Sequence, residues 1–243
     1  MKKWSIIILI FLFTFTNLIG CSKDEKKEKK IEKKKIHMVA VGDSLTVGLK
    51  GANGGYVGII EEELKKEANV SSVKVDNFAI VGNRTEQLIE RLNEKEVQKE
   101  LKDADFILLT IGGNDMMKTV RNNALELKMK DFEIGQKEYN QKLHTIFKKL
   151  RSLNKKSPIY YVGLYNPFEE TLKQVPEIGE IIQSYNEVAK KATNDYNNVR
   201  YISVYDEFLQ SKEHVLSDDQ FHPNDKGYQI IAEVTLKEIR KDF

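Results

Sequence analysis

The chain has 243 residues, with 39 lysines and arginines against 37 acids and a single cysteine. That length suits one sizeable domain with appendages, and one cysteine excludes an intramolecular disulfide. The formal net charge of +2 is set by the N-terminus: Lys2 and Lys3 supply +2 and residues 22–35 supply +4, which leaves about −4 for residues 36–243. No basic stretch interleaved with aromatics occurs in that acidic remainder, which argues against a nucleic-acid partner.

In chain order, Lys2 and Lys3 precede an apolar run, Trp4 to Ile19, that closes in Leu18-Ile19-Gly20-Cys21. A charged start, a short apolar stretch and a small residue before the cut have the form of a secretory signal. The run is about sixteen residues, short of the roughly twenty that span a bilayer as a helix. Leu18 to Cys21 resembles the lipobox of bacterial lipoproteins. The resemblance implies removal of residues 1–20, lipid on Cys21, and a lipid-anchored place on the extracytoplasmic face of a bacterial cell membrane. An ordinary cleaved signal and a retained anchor are the alternatives. Two or more acyl chains suffice for stable anchoring, where one holds marginally. Residues 22–35, SKDEKKEKKIEKKK, hold eight lysines and four acids. Such a segment buries too little apolar surface to offset its ordering entropy, so residues 21–35 read as a charged linker, a solvated spacer also able to meet anionic headgroups.

From residue 36 the pattern alternates. Short β-branched runs occupy 36–41, 72–79, 105–112, 158–164 and 199–204. Between them lie stretches with helical spacing, such as Ile59, Ile60, Glu63, Leu64 and Glu67, then 138–153, and after the last strand 227–239. Near-continuous apolar strands alternating with helices imply a parallel sheet covered on both faces. The expectation is an α/β fold: a three-layer α/β/α sandwich with a five-stranded parallel sheet, flavodoxin-like, over residues 36–243. No internal repeat or second domain boundary is visible.

In open α/β sheets, sites form beyond the carboxyl ends of the strands. The exits here read GDSLTVG, NFAIVG, GGND and YNPF, and the fifth strand leads towards DDQFHP. Ser44 in Gly42-Asp43-Ser44-Leu45 is suited to capping the next helix, and becomes a nucleophile only beside a general base. Thr46 replaces the second glycine of the G-x-S-x-G elbow. Among the four histidines His222 is the candidate base. Asp219 stands three residues before it, within reach of Nδ1 across one turn, and Pro223 confines its backbone to extended geometry. Asp218 is the alternative acid. His37 opens the first strand, His144 lies in a helix, and His214 sits in a polar connection without an acid in fixed register. Gly82 and Asn114 are candidate donors to an oxyanion; singly, each also suits a tight turn or an Asx-turn.

Together and in this order, Gly42-Asp43-Ser44-Leu45, Asn77 followed by Gly82, Gly112-Gly113-Asn114-Asp115 and Asp219-Gln220-Phe221-His222-Pro223 resemble the four blocks of the SGNH (GDSL-type) hydrolase family. The resemblance implies Ser44 as nucleophile, His222 as base, Asp219 as acid, and Ser44, Gly82 and Asn114 as the oxyanion hole. It implies a surface-tethered serine hydrolase of carboxylic esters that needs no cofactor and no metal. A carbohydrate O-acetylesterase acting on envelope polysaccharide and a non-catalytic glycan- or lipid-binding lipoprotein are the alternatives. The glycine-rich stretch 48–58 lacks the Gly-Lys-Ser/Thr ending of a phosphate loop and is expected to be a mobile loop beside the serine. No His/Cys/Asp/Glu group has metal-ligand spacing. The segments 165–168 and 116–135 are expected to wall the substrate site, with Met116, Met117 and Val120 placed either along an acyl groove or under a helix.

Overall fold

The computed structural model describes residues 33–242 apart from 124, 125, 127, 173 and 176. The signal, Cys21 and most of the linker lie outside the described residues. Five strands, β1 (Lys34–Gly42), β2 (Val70–Asn77), β3 (Phe106–Thr110), β4 (Ile159–Val162) and β5 (Val199–Ile202), form one sheet in the order β2-β1-β3-β4-β5. All four pairings are parallel. The first strand begins two residues inside the segment read as linker, because Lys34 and Lys35 pair with Val70 and Ser72 of β2.

Alternation along the strands divides the core. Val39, Val41, Ile107, Leu109 and Tyr161 face one layer, with α3 (Thr85–Arg91), α4 (Lys95–Asp103), α6 (Met129–Leu153) and α7 (Glu177–Asn194). Met38, Ala40, Leu108, Tyr160 and Ile202 face the other, with α2 (Gly55–Lys65), α8 (Tyr205–Leu209) and α9 (Asp225–Ile239). Side chains of successive strand residues point to opposite faces, so each central strand feeds both layers. The helices answer with period 3.6: Tyr139, Leu143, Ile146, Phe147 and Leu150 make one buried stripe along α6. Burial of each such side chain contributes about 2 kcal/mol.

One expectation needed correction. The strands are not uniformly apolar: β3 and β4 are buried throughout, whereas β2, at the sheet edge, buries Val70 alone. An edge strand meets a neighbour on one side only and keeps polar residues. The segment 116–135 is mostly helical, divided between α5 (Gly113–Asn122) and α6.

The strand order turns back between β1 and β3, since β2 lies on one side of β1 and β3 to β5 on the other. A crevice at the carboxyl ends of β1 and β3 follows from that reversal. Gly42 and Thr110 end those two strands in register with each other.

Candidate active site

β1 ends at Gly42 with φ 140°, where a Cβ would lie 2.0 Å from the Thr110 carbonyl oxygen. Glycine is required there by both conformation and space. Asp43 then turns the chain and caps α1 (Ser44–Val47), its side chain accepting from the Leu45 N–H at 3.1 Å. Ser44 is the first residue of that helix, so its own N–H has no intrahelical acceptor. Gly48 ends α1 in the left-handed region.

His222 sits in the connection from α8 to α9. An isolated antiparallel bridge, Leu216 to Pro223, and a Ser217 N–H to His222 O bond of 2.8 Å close this connection. Inside it Asp219 Oδ1 accepts from Ser217 Oγ, Phe221 N–H and His222 N–H at 2.8, 3.0 and 2.9 Å. Its other oxygen lies 2.7 Å from His222 Nδ1, and His222 Nε2 lies 3.0 Å from Ser44 Oγ. A carboxylate at Nδ1 places the ring proton there and leaves Nε2 as acceptor towards the serine hydroxyl. Burial acts upward on the Asp219 carboxyl, but the bonds from the His222 ring and from the three other donors outweigh it and hold the group well below the usual carboxylate range. Tyr165 donates its hydroxyl to the Phe221 carbonyl at 2.6 Å and steadies the turn from the β4 exit. Asp218 is 80% exposed and pairs with Lys50 at 3.0 Å, turned to solvent.

The loop after β2 carries Gly82 to the same crevice. Its φ is 80°, yet no protein atom lies within 4 Å of where its Cβ would be. The backbone conformation is what requires glycine here. Ile80 N–H and Asn83 Nδ2 both donate to Gly42 O, at 3.1 and 3.4 Å, and tie this loop to the β1 exit. Asn114, in the first turn of α5, donates from Nδ2 to the Asn83 carbonyl at 3.0 Å, so its amide bridges the exits of β3 and β2. Asn77 Nδ2 donates to the Thr46 carbonyl at 2.7 Å and locks α1 to the end of β2. Asp115 accepts from the Thr85 backbone and hydroxyl at the start of α3; burial pushes its carboxyl up against those bonds. The sequence singled out none of Thr110, Thr85, Asn83 or Ser217, whose roles depend on neighbours distant in the chain.

A narrow pocket opens beside Ser44 over the ends of β3 and β4. Ile111, Met116, Val162, Leu164, Tyr165 and Phe221 line it together with Asn114. Met117 and Val120 pack against the core. Gly51, Gly55 and Gly58 serve packing in the stretch expected to be a mobile loop: a Cβ at Gly51 or Gly55 would meet the Tyr228 ring at 2.4 or 3.0 Å, and one at Gly58 the Asn53 carbonyl at 1.8 Å. A Cβ at Gly54 would meet nothing within 4 Å.

The other histidines lie elsewhere. His144 contacts Tyr196 at 3.2 Å. His37, at the β2 edge, faces Asp76 at 2.6 Å and Glu100 at 3.6 Å, a grouping that tertiary contact alone creates. The Lys74 ammonium touches Asp76, Glu100 and His37 Nε2 and already supplies the positive charge there.

A model of the GDSL-like lipase/acylhydrolase family matches residues 40–230. Among similar proteins, the uncharacterized protein YpmR of Bacillus subtilis is 37% identical over 239 residues, covering 96% of this chain and 94% of its own. The spore germination lipase LipC of Bacillus licheniformis is 25% identical over 204 residues, 82% of this chain and 93% of its own. Among solved structures, the lipase Lip_vut3 from a goat rumen metagenome aligns with a TM-score of 0.72 at 25% identity, over 82% of this chain and 95% of that one. Axe2, an acetylxylan esterase from Geobacillus stearothermophilus, shares the fold, with a TM-score of 0.66 at 24% identity over 86% of this chain and 96% of its own. The chain is an ester hydrolase, and by sequence and fold it belongs to the GDSL-like lipase/acylhydrolase family.

Proposed function

We propose that the protein cleaves carboxylic esters through an acyl-enzyme on Ser44 and works from a lipid anchor on Cys21. Ser44 Oγ attacks the acyl carbon while His222 Nε2 takes its proton, and Asp219 holds the ring and stabilises the imidazolium. The N–H groups of Ser44 and Gly82 and the Asn114 amide stabilise the tetrahedral oxyanion. His222 then gives its proton to the leaving alcohol, and water, activated by the same nitrogen, releases the acid. The observation that carries this reading is the continuous contact from Asp219 Oδ2 to His222 Nδ1 at 2.7 Å and from His222 Nε2 to Ser44 Oγ at 3.0 Å.

The pocket beside Ser44 supports an ester whose acyl part is hydrocarbon, because side chains such as Ile111, Met116 and Leu164 offer that group burial. An acetyl ester of a polysaccharide makes little use of that lining. Ser44→Ala tests the mechanism: kcat on p-nitrophenyl butyrate is expected to fall by several orders of magnitude with the melting temperature retained. Near-native turnover in that variant sinks the proposal. An ester series from acetate to laurate, beside acetylated xylan, tests the substrate class. A preference for acetylated glycan over all longer acyl esters would replace the hydrocarbon reading with the deacetylase.

A further inference from the structure

Asp43 is a buried acid that the steps above do not use. It is 4% exposed and lies behind the nucleophile, and among the described residues no cationic side chain is bonded to it. Its Oδ1 accepts from the Leu45 N–H at 3.1 Å and from the Thr110 hydroxyl at 2.6 Å. Thr110 Oγ1 is 2.8 Å from Thr46 Oγ1, which is 2.8 Å from the Tyr56 hydroxyl. One proton per hydroxyl fixes the direction of this chain. Thr110 gives its proton to Asp43, so Thr46 must donate to Thr110 and Tyr56 to Thr46. Three ordered hydroxyls from α2, α1 and β3 thus converge on one carboxylate at the base of the Ser44 turn. Both bonds at Asp43 are accepted by the one oxygen, Oδ1.

A cap needs only one acceptor, and a neutral asparagine or serine caps as well as an aspartate. Keeping a charge buried is costly unless it serves something. Burial pushes the Asp43 carboxyl up; the Thr110 and Leu45 bonds act downward, Asp115 at the start of α5 acts upward, and His222 interacts with it as an opposite charge. The other titratable neighbours, Tyr56, Tyr161, Tyr165 and Tyr228, are phenols that burial pushes upward and keeps neutral. His222 is held by Asp219 through Nδ1 and meets Ser44, the residue after Asp43, through Nε2, while Asp218 is engaged by Lys50.

We infer that Asp43 is a positioning residue: its carboxylate, held by the Tyr56–Thr46–Thr110 chain, sets the Ser44 turn and favours the imidazolium that forms on His222 during acyl transfer. This rests on the Ser44–His222 mechanism proposed above. Little charge separation crosses the site before attack and a full imidazolium exists after it, so the effect belongs to kcat rather than KM.

The test is Asp43→Asn, which keeps the acceptor oxygen for Leu45 and Thr110 and removes only the charge. On p-nitrophenyl butyrate, kcat is expected to fall about tenfold or more with KM within roughly twofold, and the acid limb of the kcat/KM profile to move to lower pH. Thr110→Val keeps the acid but removes its hydroxyl donor, which makes Asp43 harder to ionise and weakens its charge near His222, so its acid limb is expected to move to lower pH as well, by less than in Asp43→Asn. The second variant carries the test should the first fail to fold. A limb unmoved in whichever of them folds, whatever happens to kcat, overturns the inference and leaves Asp43 a helix cap. Ser44→Ala run in parallel separates the two failures, since activity surviving there rejects the mechanism itself rather than the role of Asp43.

Discussion

Asp219 and Asp218 are the same residue type one position apart, and the turn separates them completely. Asp219 accepts from Ser217, Phe221 and both the backbone and ring of His222, while Asp218 reaches outward to Lys50. Asp219→Asn keeps the shape but donates towards Nδ1 and favours the wrong imidazole tautomer. It is expected to lower kcat by roughly 10² to 10⁴. Asp218→Asn removes one exposed ion pair and is expected to leave kcat/KM within about twofold of the parent. Comparing both variants on one soluble ester checks this, and equal losses would mean that the acid is misassigned.

At the level of elements, two glycines with positive φ serve different ends. Gly42 closes β1 against β3 with no room for a Cβ beside the Thr110 backbone. Gly42→Ala must separate the two central strands, and we expect a loss of about 2 to 4 kcal/mol in urea unfolding, with activity lost alongside. Gly82 has the left-handed backbone without the crowding. Gly82→Ala is expected to cost only about 1 to 2 kcal/mol, while kcat falls further than that loss of stability explains, because the N–H at this turn is displaced. A Gly82→Ala protein as active as the parent would remove this loop from the oxyanion site.

Over the whole molecule, Glu86 and Glu100 have carboxyls lowered to about 2, by Arg84 then Lys142 in the first case and by Lys74 and Lys99 in the second. A folded value below the unfolded one gives stability that is complete above the ordinary glutamate value and is lost as pH falls through the folded value. The melting temperature is therefore expected to decline as pH drops from about 4.5 towards 2, with the depressed Asp219 adding to the fall at the acid end. Lys74 and Lys99, the partners of Glu100, are exposed, so half-molar salt should flatten part of this decline. Among the described residues no helix is long and apolar enough to cross a membrane. The proposed anchor at Cys21 is checked by fractionation: Cys21→Ser is expected to move the protein out of the membrane pellet, and a variant still pelleted with its signal removed would reject the lipid anchor.

The sequence by itself determined the alternation of strands and helices, the parallel sheet, and which residues stand at strand exits, because periodicity and exit chemistry are local along the chain. It placed Ser44, Gly82, Asn114, Asp219 and His222 at candidate positions, since Asp219 and His222 share one turn and the other three follow strands. It favoured Asp219 over Asp218 by the spacing to His222, whereas the direction each takes from the same turn came from the folded chain. Met117 and Val120 went to the core while Met116 reached the pocket, a choice made by the phase of α5 against the sheet. Gly51 and Gly55 met the Tyr228 ring from the far end of the chain, and Thr110, Thr46 and Tyr56 lined up behind Asp43 from three separate elements. Only the tertiary structure decided these, because each depends on groups brought together by sheet order and helix packing, and neither leaves a pattern within a single stretch of sequence.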